Sequence, residues 1–468
     1  MMTQSKKIIL IVIFGVLANI GLFMNAGYFS HDEIGWGIKA ISSSSIHDIK
    51  YYNIFNYNEF HYRPLNFNLW LLSSYYLFDT PQLFHLALLC CGMVNAALFY
   101  FIIRHFTNEK VAFLSSLVST VMPSVVFVNG WIGTIADVFW LMCCCISFLL
   151  FLHSTSTYAR NLNKNISISA ACLFFIFALM FKETAVVYPS ILFLYIAQQF
   201  IYNKKHLLEK KKISISFFLI CSFIVIGYLT LRFEFLFPKH GGYGTSLGNI
   251  PTRVLEYFIF PFLLDNTEIH GLFNQYEIWQ LSIAIFLHFI LIILVCRRSL
   301  VSYIFYFLFY YVGSIPILIL DMSLPHYIYT SGFTLAVSIA ILYYRSSYYR
   351  FISVIFFALL FIHSVSLQKN FVATGNYQNN FVNTLYSVIS SNKDDDCQYL
   401  ITPELGSTSW VAVRAISFRN NIDDLTLPKD VVFDKSQLNP AQHKQVCKLS
   451  LDIFGRVKLL GIEDVNAK

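Results

Sequence analysis

The sequence is dominated by eleven apolar stretches of about 16 to 23 residues, separated by short polar segments. A helix needs about 20 such residues to cross a bilayer, so each stretch predicts a membrane helix. Only 13% of the residues are charged, against about 25% in soluble domains, and this deficit excludes one ordinary globular core. The predicted helices are 8–27, 82–104, 111–128, 133–153, 166–181, 184–202, 214–232, 277–296, 301–320, 327–344 and 351–367.

The basic residues predict the orientation of these helices. If the N-terminus is cytoplasmic, every inner segment carries at least two Lys or Arg, whereas the short outer connections around 129–132 and 321–326 carry none. Cytoplasmic loops collect basic residues in this way. The first helix is then a retained signal anchor, and the C-terminal tail lies outside. The net charge of +7 is explained by these loops and does not indicate a nucleic-acid partner.

Two long outer segments and a polar tail complete the predicted organisation. The segment 28–81 contains an interfacial helix over 64–78, and the segment 233–276 contains a flexible loop over 239–244. The fold class is therefore an all-α polytopic membrane domain, 1–367, followed by a small α/β domain, 368–468. Strands are predicted at Gln398–Thr402, Trp410–Phe418 and Lys448–Phe454.

The tail also contains Cys397 and Cys447. An oxidising compartment would allow them to form a disulfide, and a reducing one would leave both as thiols. The other eight cysteines fall in apolar stretches, where they are expected to be packing residues.

An acidic pair, Asp32 and Glu33, directly follows the first membrane helix, and His31 precedes it. A carboxylate at this position could act as a general base towards an acceptor hydroxyl. The alternative is a solvated helix cap at the membrane interface. The sequence leaves both open, and it does not say which of the two carboxylates would take the proton.

Three further polar clusters fall on the same outer side. Tyr62 and Arg63 open the interfacial helix, where the Arg63 guanidinium could bind a phosphate or lipid head groups. Lys182 and Glu183 lie between two apolar stretches with almost no loop, which favours a water-filled cavity over a purely structural pair. His326 and Tyr327 lie at the start of the tenth helix. They could line a substrate pocket, or they could belong to the belt of aromatic residues at the membrane interface.

The sequence contains no P-loop and no dinucleotide fingerprint, and no soluble domain on the inner side is large enough for a nucleotide-sugar. An activated donor would therefore be lipid-linked. An O-antigen polymerase would share this topology but would place its basic residues in large central loops. A transporter would more often show repeated halves and charges in mid-helix.

Together the clusters resemble the GT-C glycosyltransferases, polytopic enzymes that use polyprenyl-phosphate sugars. The resemblance is carried by the acidic pair after helix 1, by Tyr62-Arg63-Pro64-Leu65, by Lys182-Glu183 with Pro189, and by His326-Tyr327-Ile328-Tyr329. The last stretch is similar to the Arg-Tyr-Leu-Tyr of the TMTC-like and O-mannosyltransferase-like branch, with His in place of Arg. The size and composition also resemble Gtr-type O-antigen glucosyltransferases.

The resemblance implies an inverting sugar transfer without a cofactor, in a bacterial inner membrane. It leaves open whether the reaction requires a divalent metal ion. Asp32, or otherwise Glu33, would be the base. It implies a lipid-linked donor, a lipid-linked glycan acceptor such as O-antigen, and a flippase and a polyprenyl-phosphate sugar synthase as partners. The residues expected to bind the donor phosphate are Arg63, Lys182, Arg232 and Lys239. The residues expected to line the substrate pocket are His31, Tyr62, Glu183, His240, His326 and Tyr327.

Overall fold

The structure is a computed structural model and is helical over most of its length. It describes residues 3–57, 61–155, 161–202, 208–236, 244–264, 269–297, 299–392, 397–404, 431–433, 435–438 and 445–464. The α-helices are α1 Gln4–Ala18, α2 Ile20–Phe23, α3 His31–Ile41, α4 Pro64–Leu77, α5 Pro81–Phe106, α6 Glu109–Ser119, α7 Pro123–Gly130, α8 Ile135–Ser154, α9 Asn161–Phe181, α10 Tyr188–Tyr202, α11 Leu208–Leu236, α12 Ile250–Ile259, α13 Leu272–Gln275, α14 Ile278–Cys296, α15 Leu300–Tyr311, α16 Tyr329–Arg345 and α17 Ser347–Ser391.

Within these ranges, nine helices are long and apolar enough to cross a membrane. A tenth span results if the pair α6 and α7, which are bent by 52°, counts as one. Pro123 explains this bend, because a proline disfavours helical geometry in the preceding residue, and Met122 is extended. Ten of the eleven predicted spans thus have a counterpart, and the predicted all-α polytopic fold class is confirmed.

The first predicted span, 8–27, is divided at Asn19 into α1 and α2, of 15 and 4 residues. The buried Asn19 side chain donates hydrogen bonds to the Gly15 carbonyl at 2.8 Å and to the Thr120 carbonyl at 2.9 Å. The break is therefore stabilised by contacts to the helix itself and to the bend after α6, and neither piece is as long as a membrane span.

Close helix packing holds the bundle together. A Cβ at Gly332 of α16 would lie 2.7 Å from Ser124 Oγ of α7, so only glycine allows this approach. Small residues commonly permit such contacts between membrane helices. The approach fixes the start of α16, which closely follows His326 and Tyr327, against the start of α7.

Helix α17 continues without a break from Ser347 to Ser391, through the predicted domain boundary at 367/368. The described residues that follow form a four-stranded sheet in the order β2-β1-β3-β4, in which β1 is parallel to β2 and β3, and β4 is antiparallel to β3. The strands are β1 Cys397–Pro403, β2 Val431–Val432, β3 Gln445–Leu451 and β4 Val457–Asp464. The predicted strand at 410–418 lies outside the described residues.

The sheet is attached to α17 and is cross-linked internally. Val457 N donates to Thr384 Oγ1 at 2.9 Å, and Asn380 Nδ2 donates to the Phe454 carbonyl at 3.0 Å. A disulfide joins Cys397 on β1 to Cys447 on β3, with the two Cα atoms 5.7 Å apart. The small C-terminal α/β domain thus packs on the end of the last helix.

Candidate functional site

The acidic pair lies in the first turn of α3, and its two members have different environments. Glu33 is almost fully buried and accepts three backbone N–H hydrogen bonds, from Phe29 and Ser30 at 2.7 Å and from Ile132 at 2.8 Å. Burial raises the pKa of Glu33 to about 8, and the three N–H donors act in the opposite direction. Both carboxyl oxygens are thus occupied in holding the start of α3 against the α7–α8 connection.

Asp32, by contrast, is exposed at the second position of α3. An exposed carboxylate next to a buried one is the member of the pair that an incoming hydroxyl group can reach.

Arg63 and Glu183 form a two-pronged ion pair between the start of α4 and the junction of α9 and α10. Arg63 Nε donates to Glu183 Oε2 at 2.7 Å, and a terminal guanidinium nitrogen donates to Oε1. Burial disfavours the charge on Arg63, but the Glu183 carboxylate outweighs it and raises the pKa of Arg63. Neighbouring His61 stays neutral at pH 7, because burial, aided by Arg63, lowers its pKa to about 4.

A second ion pair lies directly beside the first, since Lys182 precedes Glu183 in the chain. Lys182 Nζ donates to both carboxylate oxygens of Asp137 at 2.7 Å, and both side chains are buried. The sequence reasoning missed Asp137, which lies in the first turn of α8. Asp137 could have been found from the sequence, because it is a charged residue within an otherwise apolar stretch. Charged residues inside a membrane helix are energetically costly and are usually functional.

His326 and Tyr327 lie in the short 3₁₀-helix Pro325–Ile328 that leads into α16. Lys182 Nζ lies 5.6 Å from the centroid of the Tyr327 ring. The centroids of the His326 and Trp131 rings lie 5.2 Å apart. Trp131 Nε1 in turn donates to Ser30 Oγ at 3.0 Å. A continuous set of contacts therefore leads from the start of α3, through Trp131 and His326, to Lys182.

These residues border a small cavity with charged and polar side chains in its lining, which is too narrow, as the side chains stand, to admit a water molecule. It is lined by Asp137, Trp140, Lys182, Thr184, Gly313, Ile317, His326, Tyr327, Tyr329 and Thr330. His326 Nδ1 and Thr330 Oγ1 are buried and make no hydrogen bond with any residue that the structure describes. Buried polar atoms are nearly always paired, so these two are the groups that the cavity lining offers to a water molecule or to a polar ligand group.

Thr330 also lines a second, much larger cavity of about 620 Å³. Its walls come from α5, α8, α10, α14, α15 and α16, and they are mainly aliphatic and aromatic. Along α16 it extends from Thr330 to Ile341, which corresponds to about 17 Å at the helical rise of 1.5 Å per residue. A polar cavity and an apolar groove thus meet at one residue, an arrangement that suits a molecule with a charged head and a long apolar tail.

Arg232 and Tyr62 lie next to each other, at the end of α11 and before α4. Arg232 donates to the Tyr57 carbonyl at 2.6 Å and lies 5.4 Å from the centroid of the Tyr62 ring, while Tyr62 Oη donates to the Ile54 carbonyl at 2.6 Å. Both side chains thus hold the loop that precedes α4. Lys239 and His240 lie outside the described residues, and for His31 only the backbone, at the start of α3, is described.

No group of three or more His, Cys, Asp or Glu side chains within the described ranges is placed to hold a metal ion. No protein-family model matches the sequence, and no curated protein sequence matches it.

Among solved structures, the chain is similar to two crystal structures of ArnT from Cupriavidus metallidurans. The first, bound to undecaprenyl phosphate, is 10% identical with a TM-score of 0.48, and the match covers 96% of this chain and 93% of that one. The second, in the apo state, is 11% identical with a TM-score of 0.48, and the match covers 94% of this chain and 92% of that one. Similarity at this level establishes neither a family nor an activity for this chain.

Proposed function

We propose that this protein is a membrane glycosyltransferase that transfers a sugar from a polyprenyl-phosphate donor to a glycan acceptor on the outer face of the membrane. The observation that carries the proposal is the junction at Thr330, where the polar cavity beside Lys182 meets the apolar groove. The isoprenoid tail would bind in the groove, and the phosphate would bind at the polar cavity after the side chains around it move apart, because the cavity as it stands does not admit a ligand.

The cations at and beside the cavity suit a phosphate: Lys182 lines it, and Arg63 pairs with Glu183, the next residue in the chain. Lys182 uses two of its three ammonium hydrogens on Asp137, and Arg63 uses only part of its guanidinium on Glu183. The remaining donors, together with Thr330 Oγ1 and His326 Nδ1, would bind the phosphate oxygens. Charge-assisted hydrogen bonds of this kind are strong where water is excluded.

The proposed reaction is an inverting displacement with Asp32 as the base. The Asp32 carboxylate takes the proton of the acceptor hydroxyl, whose oxygen forms the new bond to the anomeric carbon. The bond between that carbon and the phosphate oxygen breaks, and the lipid phosphate leaves with the electron pair. Arg63 and Lys182 stabilise the negative charge of the leaving group. Glu33 is assigned to holding α3 rather than to proton transfer, because its oxygens are occupied.

The finer assignment follows the sequence resemblance. The sugar would be a hexose such as glucose, and the acceptor a lipid-linked glycan such as O-antigen. The protein would reside in a bacterial inner membrane with a cytoplasmic N-terminus and a periplasmic C-terminus. A flippase and a polyprenyl-phosphate sugar synthase would supply the donor.

The test is binding of undecaprenyl phosphate to the purified full-length protein in detergent, measured by native mass spectrometry. The wild type should bind, and Lys182→Gln and Arg63→Gln should each weaken binding by about 10-fold or more. The matched control is Lys458→Gln, which removes an exposed lysine of β4 and should leave the affinity unchanged. Absence of binding by the wild type, or equal binding by all four proteins, would contradict the proposal.

A further inference from the structure

The indole of Trp131 is a candidate for binding the sugar ring of the donor. Trp131 is the extended residue that connects α7 to the 3₁₀-helix Ile132–Thr134 before α8, and its side chain is half-buried. We propose that Trp131 packs against the apolar face of the transferred sugar and thereby discriminates the glycosylated lipid from the bare lipid phosphate. This inference rests on the proposed function.

The position of the indole is fixed from two sides. Its Nε1 donates to Ser30 Oγ, immediately before α3. A Cβ on Gly133 would lie 2.5 Å from the same nitrogen, so the chain can pass beneath the ring only with glycine at this position. The ring is therefore held in one orientation before any ligand binds, which lowers the entropic cost of binding.

The ring neighbours of Trp131 meet it edge to face. The rings of Phe29, Phe127 and His326 lie 5.7, 6.0 and 5.2 Å away by centroid, with interplanar angles of 65°, 83° and 68°. None of the three stacks in parallel with the indole. Because the chain at Gly133 passes beneath one face of the indole, the surface that remains for a further contact is the exposed part of the ring.

The proposed reaction requires the sugar to lie near this indole. In an inverting displacement the base and the leaving phosphate lie on opposite sides of the anomeric carbon, so the sugar lies between Asp32 and the phosphate cavity. Trp131 contacts Ser30, two residues before Asp32, and His326, which lines the phosphate cavity. It thus connects the two elements between which the sugar must fit.

The experiment compares two lipids, undecaprenyl phosphate and undecaprenyl phosphate carrying glucose, on the full-length protein. The wild type should bind the glycosylated lipid more tightly. Trp131→Ala should reduce this preference by about 3- to 10-fold, the range expected for one aromatic contact, so that binding of the glycosylated lipid weakens more than binding of bare undecaprenyl phosphate. Trp131→Phe should keep most of the preference. The control Trp279→Ala removes an exposed indole at the start of α14 and should behave as the wild type.

The outcomes separate the two proposals. A wild type that binds neither lipid overturns both. A Trp131→Ala variant that keeps the full preference overturns the assignment of Trp131 alone. Trp131→Leu, which keeps apolar bulk against Phe29 and Phe127, is the second variant in case Ala disturbs folding. If both variants lose affinity for the two lipids equally, the role of Trp131 is structural and the assignment is likewise overturned.

Discussion

At the residue scale, the two adjacent carboxylates are expected to respond differently to neutralisation. Asp32→Asn should abolish sugar transfer with little effect on thermal unfolding, because Asp32 is exposed. Glu33→Gln should cost about 1–3 kcal/mol of stability, because the amide NH₂ would replace one of the two carboxyl oxygens that now accept from backbone N–H groups. Transfer assays and thermal unfolding in the same detergent check both expectations.

The reverse pattern would contradict this division of roles. A fully active Asp32→Asn protein would remove Asp32 from the reaction, and an inactive but fully stable Glu33→Gln protein would make Glu33 the base. The sequence placed both residues just after the first membrane helix and left their roles open; it did not predict that they begin a helix of their own, α3. The distinction depends on Ile132, which is 99 residues away in the chain and reaches Glu33 only in the folded protein.

The buried pair of Lys182 and Asp137 gives a second prediction at this scale. Asp137→Asn should destabilise the protein by about 3–5 kcal/mol, because it leaves the buried Lys182 ammonium without its counter-charge. The double variant Asp137→Leu with Lys182→Met should recover most of that stability, because it removes both buried charges, and yet bind no lipid phosphate. Thermal unfolding of the single and double variants measures this coupling. Equal destabilisation in both would show that the pair is not coupled.

At the element scale, the segment before α16 is held by α12. The Arg253 guanidinium donates to the carbonyls of Leu320, at 3.0 Å, and Asp321, to Ser323 Oγ at 3.1 Å, and to Glu256. One side chain thus fixes the irregular chain that leads into Pro325–Ile328, the element that carries His326 and Tyr327.

Arg253→Lys should therefore loosen the site although it preserves the charge, because a lysine cannot reproduce the planar fork. We expect a loss of about 2 kcal/mol in stability and weaker binding of undecaprenyl phosphate. Arg456→Lys, at a half-exposed ion pair on the sheet, is the control and should change stability by less than about 0.5 kcal/mol. If the two variants proved equally stable, Arg253 would have no role in holding the segment.

The elements themselves were largely predictable, because an apolar stretch of membrane length is a local property of the sequence. The break at Asn19 was not, since it is stabilised by Thr120, about a hundred residues away. For the same reason the sequence indicated that Lys182 and Glu183 belong to a polar site but not that they pair with Asp137 and Arg63. Such pairing depends on which helices become neighbours.

At the scale of the whole molecule, α17 connects the membrane bundle to the C-terminal sheet as one helix of 45 residues. The helix contacts Phe29 near the site through Phe371, whose ring lies 4.8 Å away, and it contacts β4 through Thr384. The sheet is thus attached at a fixed position relative to the candidate site, and we expect it to lie on the acceptor side of the membrane.

The disulfide tests this topology, because such bonds persist in oxidising compartments and are rare in the bacterial cytoplasm. If the C-terminus is periplasmic, a membrane-impermeant maleimide should label Cys397 and Cys447 in intact spheroplasts only after a reductant has been added. The double variant Cys397→Ser with Cys447→Ser should lack this reductant-dependent labelling, which separates it from any reaction of the eight cysteines in the membrane domain. Labelling of the pair only after the membrane is permeabilised would place the sheet in the cytoplasm. It would also reverse the proposed orientation, and Asp32, Trp131 and Lys182 would then face the side on which nucleotide-linked donors are made.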